Sequence, residues 1–594
     1  MKDFFKNVLA TVVGLLVFGI FITILGVMSI VGMVASSQST KSVKDNSVFV
    51  LKLDGNISDH SQSNFIDQIM GNNEGSTIGL NVLEDDLKKA ASNKNIKGIY
   101  MEMGNVSAEP ATLQELRICL QEYKKSGKWI VAYADTYTQP GYYIASVADK
   151  VYINPEGMLD WHGLGGTPIY IKDLAAKFGI HFQVFKVGAF KSATEMFTAD
   201  KMSKEDRLQT QTYINGIWKN MCQDVSKSRH INVDTLNVLA DRFMGFETTD
   251  TYKKYKLVDG TLYNDEIKGE IKKLLKIDKD KDISQVGMSE METVPSESSD
   301  GDYEIAIYHA EGNIVDNPTP GLYNEKSEIA ATKVCKDLES LADDDNVKAV
   351  VIRINSGGGS AYASEQIWHQ IEMLKKKKPV VVSMGGMAAS GGYYMSCNAN
   401  WIIAEPTTLT GSIGIFGVFP DLSELTTKKL GLKFDEVKTN KNSAFGSPAR
   451  PFNAEESAML QKYINHGYQL FRKRVCNGRK LSVSDVEKIA GGHVWLGMDA
   501  IKIKLVDQLG TLNDAISKAA KLAKLEKDSY YTEGYPAPSD WTEELLSNMT
   551  DKGNYLDEQM RFVLGDFYQP FMEVKDMRNQ KGIQAKLPYY LILK

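Results

Sequence analysis

The chain has few cysteines for its length: five among 594 residues, widely separated, with none in a Cys-x-x-Cys or other metal-ligand spacing. An odd, sparse set of this kind supplies neither a disulfide framework nor a zinc site. The sequence contains no H-E-x-x-H and no G-x-x-x-x-G-K-[S/T] motif, which argues against zincin and P-loop chemistry. The net charge of −6 gives no basic footprint for nucleic acid. We therefore predict a protein that needs no cofactor and no metal and does not bind nucleic acid.

Long apolar runs are also rare, and the one that stands out lies near the N-terminus. Residues 8–35 carry no charge and are rich in Val, Leu, Ile, Phe and Gly. A helix of about 20 apolar residues crosses a bilayer, and Lys2 and Lys6 before this run favour a cytoplasmic N-terminus. We predict one uncleaved transmembrane helix, with the bulk of the chain outside the cytoplasm. A cleaved signal peptide is the alternative, because residues 35–37 are small.

The same domain occurs twice along the chain, because two stretches match when the numbering is shifted by 251 residues. Asn95–Ile99 falls on Asn346–Val350, and Gly141–Tyr143 falls on Gly392–Tyr394. Repetition at a fixed period indicates a repeated structural unit. Each copy alternates short apolar runs with amphipathic helices, a pattern typical of βαβ units around a buried parallel sheet. We therefore predict an α/β fold with two tandem domains and helical appendages.

The predicted domain organisation follows from this repeat and from local composition. We expect an N-terminal membrane anchor (1–40), a first repeat domain (41–283), a linker (284–302), a second repeat domain (303–526) and a C-terminal helical tail (527–594). The linker is polar, acidic and without periodicity. The tail has apolar residues at near-helical spacing between Leu556 and Phe567, which fits either a core-packing helix or an oligomer contact.

A candidate nucleophile, Ser390, lies in the second copy among small residues that follow the apolar run Val380–Ser383. Small residues on both sides let the backbone turn sharply and let a substrate carbonyl approach closely. The glycines after the serine are expected at a helix N-terminus, where free N–H groups stabilise negative charge. The first copy has Gln139 at this position. We predict that Ser390 is a nucleophile whose proton a nearby base removes.

A second glycine-rich stretch, at 355–360, follows the apolar run Val350–Ile354. The N–H groups of Gly358 and Gly359, together with that of Gly391, are predicted to form an oxyanion hole for a tetrahedral intermediate. At the shift of 251 the first copy has no glycine run here. The first copy therefore lacks the nucleophile and the oxyanion loop together, which two purely structural turns would not explain.

The candidate base is Lys191 of the first copy, which falls on Asn442 of the second. A lysine acts as a base near neutral pH only when burial or a nearby cation lowers its pKa. Apolar neighbours in the sequence favour such burial, so we predict Lys191 as the base. Lys441 is a competing lysine in the second copy, and His309 and His369 are the histidines to test for a Ser-His-Asp triad.

Four motifs give the chain a family resemblance: Asn-Ser-x-Gly-Gly-Ser at 355–360, Ala-Ser-Gly-Gly-Tyr-Tyr at 389–394, Thr-Gly-Ser-Ile-Gly at 410–414 and Lys-Ser-Ala at 191–193. With these motifs the chain resembles the bacterial signal peptide peptidase A (protease IV) family, in its long form with two tandem domains. The resemblance covers roughly residues 48–524 and the N-terminal anchor. It implies a Clp-protease/crotonase-like fold, in which the lysine of the first copy is general base for the serine of the second.

The same resemblance implies an assembly and a substrate. It implies a homotetramer tethered to the membrane that degrades cleaved signal peptides, and it suggests Ser412 as a support that orients the lysine. One departure is Gly357, where the family leads us to expect proline; we expect a looser loop that keeps its N–H donors. Residues 580–594 match nothing in the resemblance.

We therefore predict a membrane-anchored serine endopeptidase with a Ser390–Lys191 dyad, which degrades cleaved signal peptides and other apolar peptides. We expect it in the bacterial inner (cytoplasmic) membrane as a single-pass protein, with its catalytic body on the periplasmic side. A crotonase-like acyl-CoA hydratase or hydrolase is one alternative, because that fold also uses glycine-rich oxyanion loops. A non-catalytic membrane scaffold is the other.

Overall fold

The computed structural model describes residues 42–60, 77–295, 301–318, 328–536 and 584–586, with three isolated positions (14, 18 and 21) of the N-terminal segment. The predicted anchor, 1–40, thus lies almost entirely outside the described residues. Within the described ranges, no helix is both long enough and apolar enough to cross a membrane.

The first copy is built on one parallel sheet. Its strands are β1 (Ser47–Ser58), β2 (Ile78–Gly79), β3 (Ile96–Ala108), β4 (Trp129–Tyr137), β5 (Lys150–Leu159), β6 (His181–Lys186), β7 (Gly260–Thr261) and β8 (Gln285–Val286). Its helices are α1 (Leu80–Ser92), α2 (Pro110–Lys124), α3 (Gln139–Ala145), α4 (Lys172–Lys177), α5 (Glu195–Thr198), α6 (Lys204–Arg229), α7 (Val233–Asp241), α8 (Thr249–Lys254), α9 (Ile267–Leu275) and α10 (Met288–Glu292). The strand order is β2-β1-β3-β4-β5-β7, with β8 also paired to β1, and β6 lies in another sheet.

The second copy repeats this plan. Its strands are β9 (Tyr303–Glu311), β10 (Asn313–Val315), β11 (Glu328–Ala330), β12 (Val347–Ser356), β13 (Gly358–Ser360), β14 (Val380–Ala389), β15 (Trp401–Ala404), β16 (Leu409–Gly411), β17 (Phe416–Asp421), β18 (Val494–Leu496), β19 (Gln508–Leu509), β20 (Tyr530–Tyr535) and β21 (Gln584–Lys586). Its helices are α11 (Ala331–Asp343), α12 (Ala361–Lys375), α13 (Gly391–Ser396), α14 (Ala454–Arg479), α15 (Val483–Ile489), α16 (Gly497–Ala500) and α17 (Leu512–Leu522). Its main sheet has the order β18-β16-β14-β12-β9-β20.

The apolar runs explain why these strands lie at the centre of each copy. All ten residues of β14 are buried, as expected for a strand covered on both faces. It pairs in parallel with β12, with Val350 opposite Val380, and β12 pairs in parallel with β9, with Val350 opposite Ala306. In the first copy β1 and β3 pair the same way, with Phe49 opposite Ile99. The predicted tandem α/β architecture with parallel sheets is confirmed.

A third, mixed sheet joins the two copies. Its strand order is β11-β10-β13-β21-β17-β6, so a first-copy strand (β6) completes a sheet of second-copy strands. β6 pairs antiparallel with β17 over its whole length, from His181 opposite Asp421 to Lys186 opposite Phe416. The pairing of Lys186 with Phe416 places the end of β6 in the second copy. The segment that follows β6 therefore begins beside second-copy strands.

A buried ion cluster also joins the copies. Arg353 on β12 is almost fully buried and donates to Asp59 at 2.8 Å and to Glu115 at 2.5 Å, both in the first copy. Burial by itself raises the pKa of Asp59, but the Arg353 guanidinium outweighs it and the net shift is downward. Charges this deeply buried are stable only when paired, so the cluster holds the copies in one relative position.

Two parts of the predicted domain organisation look different in three dimensions. The segment interpreted as a linker contains β8 and α10, and Val286 and Met291 are buried against the first copy because both are apolar. The described residues of the tail predicted as helical contain two strands and no helix: β20 extends the main sheet beside β9, and β21 lies in the mixed sheet. Residues 556–567, on which the helix prediction rested, lie outside the described residues.

Candidate active site

Ser390 lies at the sharp turn between β14 and α13. Its backbone has φ 56° and ψ −111°, a conformation that costs on the order of 1–3 kcal/mol for a residue with a Cβ atom. Two hydrogen bonds maintain it: the Ser390 N–H donates to the Gly411 carbonyl, and the Ser390 carbonyl accepts from the Tyr394 N–H, both at 2.8 Å. The hydroxyl does not cap the helix, so it remains available for chemistry.

The glycines after the serine are required by close packing. A methyl group added at Gly391 would lie 2.6 Å from the Ser364 hydroxyl, and one at Gly392 would lie 2.9 Å from the Ser356 carbonyl oxygen. Larger residues would therefore push α13 away from the glycine-rich loop. The small residues seen in the sequence thus bring Ser390 and that loop together.

Lys191 reaches the second copy on the segment that follows β6. The N–H of Phe190 donates to the carbonyl of Gly491 at 3.0 Å. A methyl group added at Gly188 would overlap that same carbonyl, and one at Gly492 would lie 2.6 Å from the Lys191 nitrogen. Glycines at 188 and 492 therefore allow the backbones of the two copies to touch, which fixes the start of the lysine side chain.

The lysine amino group has three near partners. Its Nζ lies 2.7 Å from Ser390 Oγ, 3.0 Å from Ser412 Oγ and 3.2 Å from the Ser412 carbonyl oxygen. Ser412 in turn donates its hydroxyl proton to the carbonyl of Gly492 at 3.2 Å, so its oxygen can accept from the lysine. A neutral amine has two N–H donors and one lone pair. If both N–H groups of the neutral amine donate to Ser412, the lone pair is free to accept the proton of the Ser390 hydroxyl.

Burial lowers the pKa of the Lys191 amino group. The side chain is 1% exposed, and this desolvation lowers the pKa of Lys191 to about 7. The ring of Phe416 lies 5.9 Å from Nζ, and Gly414 packs against the lysine side chain. Near neutral pH a substantial fraction of the amine is therefore unprotonated, as a general base has to be.

Two of the predicted oxyanion glycines, Gly358 and Gly391, lie next to each other. Gly358 has φ +104°, and a methyl group added there would lie 2.8 Å from the Gly391 nitrogen, so these two glycines are neighbours. Gly359 lies in β13, opposite Ile314 of β10. The Gly358 N–H donates to the Ser356 hydroxyl at 3.1 Å in this arrangement. Gly357, the departure from the family pattern, is buried between β12 and β13.

The alternative bases lie elsewhere. Lys441 is 75% exposed and pairs with Glu455. His309 stacks on His60 with ring centroids 3.9 Å apart, and burial lowers the pKa of His309 to about 3. His369 is exposed on α12. Lys441 and His309 therefore have other partners, and His369 is exposed to solvent. The Ser390 hydroxyl is instead paired with Lys191.

The first copy has a different arrangement at the matching turn. Gln139, which corresponds to Ser390, accepts the N–H groups of His162 and Gly163 on its side-chain oxygen, each at 2.9 Å. Its amide nitrogen donates back to the Gly163 carbonyl at 3.0 Å. This polar side chain therefore stabilises the turn of the first copy at the position where the second copy carries Ser390.

Some residues at the site were not found by sequence reasoning. The side-chain oxygen of Asn355 accepts the Met387 N–H at 3.0 Å, and its amide donates to Glu109 of the first copy at 2.9 Å, which fixes the glycine-rich loop. Gly492 was missed because no motif links it to Lys191. Ala585 was also missed, although it lies beside Gly358, because the end of the chain resembles nothing in the family.

Comparison with known proteins agrees with this architecture. The chain matches peptidase family S49 over residues 122–278 and again over 372–526, and matches the Clp protease family over residues 308–402. It is 32% identical to "Protease 4" of Haemophilus influenzae, over 85% of this chain and 84% of that protein. It is 35% identical to "Protease 4" of Salmonella typhi, over 74% and 71% respectively.

A plant protein is similar as well. The chain is 31% identical to "Serine protease SPPA, chloroplastic" of Arabidopsis thaliana, over 81% of this chain and 70% of that protein. The two matches to the family model include the segment that carries Lys191 and the turn at Ser390. The chain therefore belongs to peptidase family S49, and it is a serine protease built from two tandem domains of that family.

Proposed function

We propose that the chain is a membrane-anchored endopeptidase with a Ser390–Lys191 dyad, which degrades cleaved signal peptides and other apolar peptides. One observation carries the dyad: Lys191 Nζ lies 2.7 Å from Ser390 Oγ while Ser412 accepts its remaining protons. This arrangement aims the lysine lone pair at the serine proton. The burial that lowers the lysine pKa to about 7 supports the same role.

The proposed reaction has two steps. In the first, the hydroxyl of Ser390 attacks the scissile carbonyl while its proton passes to Lys191, and the lysine then protonates the leaving amine. In the second, water attacks the acyl-enzyme while its proton passes to Lys191, and Lys191 returns that proton to Ser390 Oγ as the second product leaves. The N–H groups of Gly358, Gly359 and Gly391 are proposed to stabilise the oxyanion in both steps, with the Gly358 N–H exchanging the Ser356 hydroxyl for the oxyanion.

Location and assembly belong to the same proposal. The uncharged run at residues 8–35 is proposed to anchor the protein in a bacterial inner membrane, with the catalytic body on the periplasmic side. The site would then lie close to the bilayer, where cleaved signal peptides are released. A homotetramer is proposed from the family resemblance.

The test compares the full-length protein, purified in detergent, with three single variants. We expect hydrolysis of an apolar peptide ester, and labelling by an acylating serine inhibitor, to be lost in Ser390→Ala. Hydrolysis is also expected to be lost in Lys191→Ala. Lys441→Ala is the matched control, because this lysine is exposed and paired with Glu455. Activity that survives Lys191→Ala, or that disappears in Lys441→Ala, would show that the dyad is assigned incorrectly.

A further inference from the structure

Glu109 of the first copy stands at a helix N-terminus without capping that helix. It directly precedes α2, in the position where a short polar side chain normally accepts a backbone N–H, yet its carboxylate makes no cap hydrogen bond. At the shift of 251 residues its counterpart is Ser360, whose hydroxyl caps α12 by accepting the Ala363 N–H at 3.2 Å. The Glu109 carboxylate is therefore not engaged by its own helix.

The carboxylate of Glu109 contacts two strands of the second copy instead. Its Oε2 accepts the side-chain amide of Asn355 on β12 at 2.9 Å. It also lies against Gly386 of β14, since a methyl group added there would overlap the carboxylate. Gly386 is four residues before Ser390, and Asn355 is three residues before Gly358. Glu109 therefore touches both the strand that leads to the nucleophile and the strand that leads to the oxyanion glycines.

Asn355 lies at an irregularity in the pairing of β12 with β14. Position 354 pairs with 384 and position 356 with 388, so β14 has three residues where β12 has only Asn355. The extra residues interrupt the ladder, and the Met387 N–H donates to the side-chain oxygen of Asn355 at 3.0 Å. Bulges of this kind often lie next to active sites, where they direct a side chain. This one ends directly before the turn that holds Ser390.

The backbone of Asn355 leads to the proposed oxyanion donors. Its carbonyl accepts the Gly312 N–H at 3.0 Å. The next residue, Ser356, donates its hydroxyl proton to the Gly312 carbonyl at 2.6 Å and accepts the Gly358 N–H at 3.1 Å. A path of hydrogen bonds and backbone thus runs from Glu109 through Asn355 to the N–H of Gly358. A shift of Asn355 would move this donor relative to the nucleophile.

We propose that Glu109 is a positioning residue for the reaction of Ser390, because it holds Asn355 where the bulge and the glycine-rich loop meet. The inference rests on the proposed function, since it takes Ser390 as the nucleophile. The first copy then contributes to the site twice, with Lys191 as the base and Glu109 as a support for the oxyanion loop. An oxyanion donor acts mainly in the transition state, so the effect of Glu109 belongs to kcat rather than to KM.

The acceptor oxygen of Glu109, and not its charge, is what this role requires. Burial raises the pKa of Glu109 to about 7, although the hydrogen bond from Asn355 lowers it. Of the nearby charges, Asp59 raises this pKa and Arg353 lowers it. The carboxyl of Glu311 on β9 faces the same group of charges, and burial raises the pKa of Glu311 to about 8. Both forms of the Glu109 carboxyl keep an oxygen that accepts from Asn355, so an amide at position 109 should serve as well.

The experiment measures kcat and KM for an apolar peptide ester with full-length variants in detergent, at about pH 8.5, where Lys191 is unprotonated. Glu109→Ala removes the acceptor, and Asn355→Asp replaces the donor by a second carboxylate. We expect each to lower kcat by about tenfold to a hundredfold, with KM changed by less than about threefold. Glu109→Gln keeps the acceptor and is expected to retain kcat within about threefold.

A double variant reverses the hydrogen bond. When Glu109→Gln is combined with Asn355→Asp, the new amide can donate to the new carboxylate, whose other oxygen still accepts the Met387 N–H. The net charge of the pair is unchanged. We expect this variant to recover kcat to within about threefold of the unchanged protein. Recovery by the exchange is a result that general damage to the fold does not give, and it decides the question if Glu109→Ala fails to fold.

Asn513→Ala is the matched control. Asn513 of α17 also donates its amide to a first-copy glutamate, Glu84, at 3.2 Å, but it is not part of the glycine-rich loop. We expect its kcat to equal that of the unchanged protein. A loss of kcat equal to that of Glu109→Ala would assign the effect to weaker docking of the copies and overturn the positioning role.

The remaining outcomes separate this inference from the proposed function. The positioning role is overturned if Glu109→Ala leaves kcat unchanged, if Glu109→Gln loses as much as Glu109→Ala, or if the double variant is no more active than Asn355→Asp. A rise in KM at constant kcat also overturns it, because Glu109 would then support substrate binding alone. In each of these cases labelling of Ser390 by the acylating inhibitor leaves the dyad standing. Absence of labelling and of hydrolysis in the unchanged protein overturns the proposed function itself.

Discussion

Lys191 and Ser390 are 199 residues apart in the sequence and belong to different copies of the repeat, yet their side-chain atoms are 2.7 Å apart. The pairing of β6 with β17 makes this contact, because it adds a first-copy strand to a second-copy sheet. Neither copy holds a complete site by itself. The candidate site therefore exists only when both copies are folded and docked.

The first prediction concerns pH. Burial lowers the pKa of Lys191 to about 7, so the lysine is protonated and inactive below this pH and unprotonated above it. We expect kcat/KM to rise with pH, about tenfold per unit below the pKa, and to level off above it. Initial rates with the peptide ester between about pH 5 and pH 9 measure this profile. A profile that keeps rising toward the ordinary lysine pKa would contradict the proposed cause.

The second prediction concerns the oxyanion loop. Gly358 has φ +104°, and an added methyl group would overlap the Ala585 carbonyl and crowd Gly391. We expect Gly358→Ala to lower kcat by about tenfold to a hundredfold, because a displaced donor stabilises the oxyanion less. Gly446→Ala is the control: Gly446 has φ +75° with no neighbouring atom within 4 Å. An equal loss of kcat in both variants would assign the effect to backbone strain alone.

The third prediction concerns the junction between copies. Replacing Arg353 by leucine leaves Asp59 and Glu115 buried without their cation. We expect a loss of about 3–5 kcal/mol in the free energy of unfolding, measured by urea denaturation. Arg472→Leu is the control, because Arg472 pairs with an exposed Glu487 and should cost less than about 1 kcal/mol. Similar losses in the free energy of unfolding of the two variants would show that the buried cluster stabilises the protein no more than an exposed ion pair does.

The fourth prediction concerns the first copy. Gln139→Ser places a serine at the position that matches Ser390, but the lysine position of the second copy holds Asn442, which is exposed. We expect the acylating inhibitor to label one serine per chain, as in the unchanged protein, by intact mass. We also expect a stability loss of about 1–3 kcal/mol, because the N–H groups of His162 and Gly163 lose their acceptor. Labelling of two serines would show that a lysine base is not required.

Local patterns were enough to predict the two parallel sheets and to single out the two candidate residues. Buried strands such as β14 are continuous apolar runs, and the comparison of copies distinguished Ser390 from Gln139 and Lys191 from Asn442. The segments around 285–292 and 530–535 were misjudged because their order comes from pairing with β1 and β9. Such pairing depends on a distant strand and leaves little periodic signal of its own.

The sequence by itself determined the repeat and the α/β class, and it singled out Ser390 and Lys191 as candidates, because these depend on composition, spacing and local turn chemistry. The tertiary structure decided how the halves combine. It placed Ser412 to accept the lysine protons, made Gly491 and Gly492 the contact for the Lys191 segment and brought Arg353 to Asp59. It also placed the strand that holds Ala585 beside Gly358 and Gly359. These contacts join residues far apart in the chain, and burial at the junction between copies is what gives the lysine its lowered pKa.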